Sequence, residues 1–266
     1  DEATIGSAFS DVISKSNMTL SSVELLNEES VPKDAAAIII NAPQKDFNKN
    51  DAQKVIDYLQ KGGKAIIVGM HSETEMPNFA SILDTYGVSL TTGPIADNDA
   101  QHYYNMGGPL YLLPNVNSSS YTGSLSGGYV YLPISLGINY PQNSTTDDTE
   151  STEESKTTYT SLLDTSDDAV AKNNPNSMQD YGYEDGDDKG PFSVGLAVED
   201  KVDDDHTTQL VVFASPYVFS DDASQMTTNN ASLFSGVIGN MITDTQSAGS
   251  VIPEKEYTLS NLTVNA

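Results

Sequence analysis

The apolar positions of the chain fall first into two short, nearly unbroken runs, residues 36–40 and 64–68, the pattern of strands buried on both faces of a parallel sheet. Between them the rhythm becomes helical. Ala52, Val55, Ile56 and Leu59 stand at i, i+3, i+4 and i+7, Asn48 occupies the N-cap position with Asp51 three residues on, and Gly62 and Gly63 close the turn. Two such strands joined by a helix demand a right-handed crossover, so the unit predicts parallel neighbours. Helical spacing returns at Ile5, Phe9, Val12 and Ile13, then at Phe79, Ile82, Leu83 and Tyr86, and last at Leu233, Phe234, Val237, Ile238, Met241 and Ile242 behind Asn229 and Asn230. Further strands are expected over 19–26 and 88–90. The alternation predicts an α/β chain with a mostly parallel central sheet and helices on both faces.

From residue 93 the grammar changes. Tyrosine, glycine, proline and asparagine dominate as far as residue 139, and 129–138 is the one convincing strand there. We read 93–157 as a loop-rich excursion within a single α/β domain spanning 1–266. Residues 143–156 and 179–190 are acidic and expected to face water. A strand resumes at 158–163, and the runs 192–198 and 209–214, separated by a polar turn, predict an antiparallel C-terminal pair. Residues 250–266 alternate Tyr257, Leu259, Leu262 and Val264 in a polar background, as a peripheral strand, tail or tether.

Composition narrows the partners. The 266 residues carry 38 acidic and 12 basic side chains for a net charge of −26, and every cation is lysine. Such a surface repels nucleic acid and anionic head groups, and it lacks the arginine fork that grips phosphate. Cysteine is absent, which excludes disulfides, thiolate metal sites and a cysteine nucleophile. No run of about twenty apolar residues occurs. The abrupt start at Asp1 leads us to expect a soluble fragment of a longer protein.

Candidate chemistry is sparse. Gly62-Gly63-Lys64 lacks the spaced glycine and the Ser or Thr of a phosphate loop and precedes a strand, so it reads as a helix cap. His71 and Ser72 follow a central strand, at the edge where open α/β sheets place ligands. No Gly-x-Ser-x-Gly elbow raises a serine, so these two are candidate binding residues and no catalytic residue is assigned. The histidines His71, His102 and His206 are scattered, and the acidic clusters follow no calcium-loop spacing, so no metal or cofactor is assigned. Tyr103, Tyr104 and Tyr111, with Tyr121, Tyr129 and Tyr131, concentrate aromatic surface in loops, suited either to binding a carbohydrate or peptide or to packing the excursion on the sheet.

Six stretches carry a resemblance: 31–68, 103–116, 161–169, 190–200, 209–221 and 230–241. In this order they resemble the extracytoplasmic region of gliding-motility-type (GldG-like) ABC-transport auxiliary proteins. The resemblance implies a flavodoxin-like or glutamine-amidotransferase-like three-layer domain without enzymatic activity. It implies tethering to the cell membrane at the cell surface by transmembrane segments outside this sequence, and partners among ABC-transporter membrane and ATPase subunits. An unidentified small-molecule or glycan ligand is a further expected partner. Two departures stand out: Asp1-Glu2 aligns with the end of a Gly-His-Gly-Glu-like segment, and Ala214-Ser215-Pro216-Tyr217-Val218 replaces a Gly-Asp-Ser-Asp-Phe-like stretch. The rival readings are a surface adhesin or carbohydrate- or peptide-binding module, and a hydrolase using His71.

Overall fold

The structure, a computed structural model, describes residues 2–123, 125, 128–142, 156–173, 181–222 and 229–243. The acidic stretch 143–155 and the tail 250–266 lie outside them. The crossover unit forms as its spacing predicts, with β1 at Ile38–Asn41, α2 at Lys49–Leu59 and β2 at Lys64–Val68. β1 and β2 are parallel, with Ile39 opposite Ile66. Asn48 caps α2, its side-chain oxygen accepting from the Asp51 amide at 2.9 Å, and Gly62 ends it at a φ of +86° that a side chain would resist. The preceding helix, α1, spans Ser7–Lys15. The next, α3 at Pro77–Asp84, takes its cap from outside: Asp46 accepts from the amides of Asn78 and Phe79. Burial would raise the Asp46 carboxyl, but these hydrogen bonds outweigh it and hold it below the usual range.

The sheet then departs from the expected class. After β3 at Ser89–Asp97 come β4 at Tyr111–Leu112, β5 at Asn115–Val116, β6 at Leu132–Pro133 and β7 at Leu136–Asn139. They are followed by β8 at Thr157–Asp164, β9 at Ala169–Ala171, β10 at Asp188–Lys189, β11 at Ser193–Lys201 and β12 at Thr207–Phe213. The last helix, α4, spans Asn230–Thr243. Among the described residues one ten-stranded sheet runs β1-β2-β12-β11-β7-β3-β9-β10, with β8 also on β11 and β5 on β8; β4 and β6 pair separately. Parallel pairing is confined to β1–β2 and β2–β12, and every other described pair is antiparallel. The fold is therefore a large mixed sheet, and a mostly parallel, helix-flanked flavodoxin-like or glutamine-amidotransferase-like layering is not what the chain adopts. The physical reason is that burial on both faces, whatever the strand direction, produces an unbroken apolar run.

Two cores sandwich the sheet at its parallel end. On one face Phe9 of α1 and Phe234 of α4 meet Phe219, with ring centroids 5.4 and 4.8 Å apart. On the other, Val55 of α2 and Ile82 of α3 pack over Ile67 and Val212. Beyond the helices the first core is continued by Leu112, Tyr121, Val130 and Leu132, all from the excursion, which has no helix among its described residues. Lys64, nearly buried, places Nζ 2.5 Å from the Met241 carbonyl and so caps α4 against β2. The expected strand at 19–26 is absent; only a 3₁₀ turn forms, at Leu25–Asn27.

The stretch 179–190 is not all solvated. Lys172, with its side chain fully buried, donates to Asp187 at 2.6 Å and to the Gly182 carbonyl at 2.7 Å, and pairs with Glu184 at 3.3 Å. Burial alone would lower the lysine and raise the aspartate, but each holds the other charged: the Lys172 value rises and that of Asp187 falls. Lys172→Met leaves Asp187 buried without a counter-ion, and is expected to cost about 3–5 kcal/mol in a denaturant melt. Because the folded Asp187 value lies below its unfolded one, the contribution is present above the ordinary carboxylate range and lost as pH falls through the folded value. Acid titration of the melt checks this, and the variant should lack that loss.

Candidate functional site

A concavity is built where β3 leaves the sheet. Asp97 ends the strand, is 1% exposed, and accepts from the Asp99 amide and from the amide and hydroxyl of Ser166. That anchors a tight turn in which Asp99 accepts from the Gln101 amide and faces His102 Nδ1 at 2.9 Å. A hairpin follows: Tyr103 bridges Leu112, and the Tyr104 amide donates to the Tyr111 carbonyl. Its return arm leads through Pro114 into β5. Segments 100–105 and 113–116, with Gly128 and Tyr129, enclose a cleft of about 750 Å³. A second hollow of about 300 Å³ adjoins it and shares Val116 and Gly128.

His102 ties the two walls together. Its Nε2 lies 3.1 Å from Asn115 Oδ1 on β5 while its Nδ1 faces Asp99, so both ring nitrogens meet oxygen acceptors. Burial pulls the imidazole down, but the hydrogen bonds it donates to Asn115 and Asp99 and the negative charge of Asp97 and Asp99 outweigh it, and the net shift is upward. Asp99 is held below the usual carboxylate range, first by the Gln101 amide and then by His102.

The tyrosines divide between lining and support. Tyr103 and Tyr104 line the cleft. Tyr111 does not; it stacks on Tyr131 at 6.3 Å, and Tyr104 meets the same ring edge-on at 6.3 Å. Tyr131 is fixed in turn by the Asn230 side chain, which accepts from its amide and donates to its carbonyl, both at 2.9 Å. His71 and Ser72 are not brought to this cleft. His71 Nδ1 sits 3.1 Å from the Thr92 carbonyl, and the Ser72 hydroxyl donates to the Thr74 carbonyl in its own turn. What sequence reading passes over is Asn115 and the binding role of His102; Tyr129 already stood among the loop tyrosines. The only local signal was Asp99 three residues before His102.

The chain matches no protein-family model and no curated protein. Among solved structures it is similar to one described as the mmIFT52 N-terminal domain, at 14% identity over 86% of each chain with a TM-score of 0.57. At that identity the likeness concerns the fold, and it agrees with the mixed sheet described above.

A folded His102 value above the unfolded one means that the tie across the cleft stabilises fully below the unfolded value and is lost as pH rises through the folded one. Proton NMR should place the His102 midpoint above that of free histidine. Amide exchange over 99–105 and 115–116, corrected for its intrinsic pH dependence, should accelerate above the midpoint in the native protein and not in His102→Gln.

Proposed function

We propose that this chain is a non-enzymatic domain of a membrane-anchored ABC-transporter accessory protein, working outside the cytoplasm by contacting transporter subunits or capturing a substrate. The ordered resemblance of the six stretches supports the setting, and the open cleft supports the mode of action. That cleft carries the reading because its chemistry is that of binding. Its described lining has no serine or threonine, and its one imidazole has both nitrogens committed to Asp99 and Asn115. At the end of β2, the Ser72 hydroxyl is engaged with Thr74 and His71 with Thr92, so they form no nucleophile and base pair. A neighbour described as an N-terminal domain is also consistent with a module that serves within a longer protein.

The test is association. The tethered full-length protein, solubilised in detergent, should co-purify with the membrane and ATPase subunits encoded beside it, and should turn over no ester, amide or glycoside substrate. Recovery without either subunit defeats the transporter reading. Turnover that disappears in His71→Ala or Ser72→Ala would replace it with the hydrolase.

A further inference from the structure

The charge distribution around the cleft is at odds with the chain as a whole. Acidic and basic side chains number 38 and 12, yet no carboxylate and no ammonium lines either hollow among the described residues. His102 is the one titratable cation in the lining, and Asp99, 2.9 Å from its Nδ1, is its counter-ion. An ionic ligand seated here would lose its water without gaining a counter-ion. A purely apolar ligand would strip water from the side chains of Gln101, Asn105 and Asn115 and return nothing. What both observations allow is a neutral ligand that presents apolar faces and many hydroxyls.

We propose that the cleft is a binding site for a neutral oligosaccharide, which rests on the substrate-capture reading above and names the class of substrate. Tyr103, Tyr104 and Tyr129 offer the ring surface on which the C–H face of a sugar packs, and Tyr129 is 58% exposed. Amide side chains supply paired donors and acceptors to vicinal hydroxyls. His102 acts here as a positioning residue: by holding Asn115 Oδ1 it turns the Nδ2 of that amide to the ligand. The second hollow adds polar groups without an aromatic ring: Ser118 and Asn229 line it, with Asn117 and Thr122, whose side chains donate to Asp164 and to the Asn117 carbonyl. Two uncharged hollows meeting at Val116 and Gly128 suit a linear chain of sugars more than a single one, and about 750 Å³ in the first is within the range of ligand sites.

A neutral peptide is the competing occupant, because the pairing of β5 with β8 leaves the Val116 amide and carbonyl facing away from the sheet. That edge is only Asn115–Val116, and Pro114 before it has no N–H to continue a ladder. The edge is too short to select a strand, so the saccharide is favoured.

The test uses the domain with cello-, malto-, xylo-, manno- and N-acetylchito-hexaose, with hexagalacturonate as the anionic comparison and a library of uncharged decapeptides. Binding is followed by NMR shifts and calorimetry. At least one neutral hexaose should shift the amides of Gln101, Asn105, Asn115 and Tyr129. Tyr129→Ala and Gln101→Ala, both at exposed positions, should each weaken it at least tenfold while leaving the melting curve unchanged. Hexagalacturonate should bind at least tenfold more weakly. Binding by none of the neutral hexaoses, equal binding of hexagalacturonate, shifts confined elsewhere, or binding of peptide alone overturns the proposal. Co-purification with the transporter subunits is a separate measurement, so loss of the saccharide site and loss of the transporter setting are told apart.

Discussion

Strand β11 carries antiparallel partners on both edges, β12 along Gly195–Lys201 and β8 along Ser193–Asp200, and also reaches β7 at Ser193. Three distant parts of the chain are thereby held to one register. The pairing with β8 is irregular between Ser193 and Leu196, and there the strand changes face: Val194 belongs to the first core, while Leu196 and Val198 belong to the second. Gly195 permits it, since a Cβ would sit 3.0 Å from Leu163 and 3.2 Å from Phe213. Because successive side chains point to opposite faces, a slip of one residue along β11 would exchange what the two cores receive. The helices at the parallel end and the excursion beyond it both depend on this one alignment.

Much of the fold was readable where local pattern and tertiary role agree. Residues 64–68 read as a strand and form β2, Asn48 and Gly62 bracket α2, and the runs 192–198 and 209–214 pair antiparallel. The direction of the remaining strands was not readable, since a strand buried on both faces looks the same whichever way it runs. β3 was cut short in the sequence by two residues that ordinarily break strands, Gly93 and Pro94. In the fold, Pro94 accepts a hydrogen bond from the Lys172 amide, and Gly93 leaves room for the Lys172 carbonyl. Both reasons lie some eighty residues away. The apparent strand over 129–138 is two pieces, divided at Ile134 with a φ of +51°. Leu20, Val23 and Leu26 suggested a strand at 19–26, but they remain exposed and belong to no sheet.

The site was legible in part and for a narrow reason. An aromatic run in loop composition pointed to Tyr103 and Tyr104, but nothing local distinguished a ring that lines the cleft from Tyr111, which supports Tyr131. Asn115 enters through a hydrogen bond to His102 across the hairpin, and Tyr129 through a loop still further along the chain. Such partners exist only after the hairpin closes. His71 and Ser72 drew notice by analogy with parallel sheets, whereas the cleft forms past the end of β3.

The ion pair between Lys172 and Asp187 also has a meaning for protein engineering. Their charged groups, 2.6 Å apart, hold the two ends of the segment between them at the edge of the sheet. Chain added between pinned ends costs chiefly loop entropy, about 0.6 kcal/mol for each doubling of length. A longer or shorter connection between Lys172 and Asp187 would therefore change loop entropy before it changed the register of β9 and β10. The clamp that enforces this lies beside β9 and β10, at the far end of the sheet order from β1.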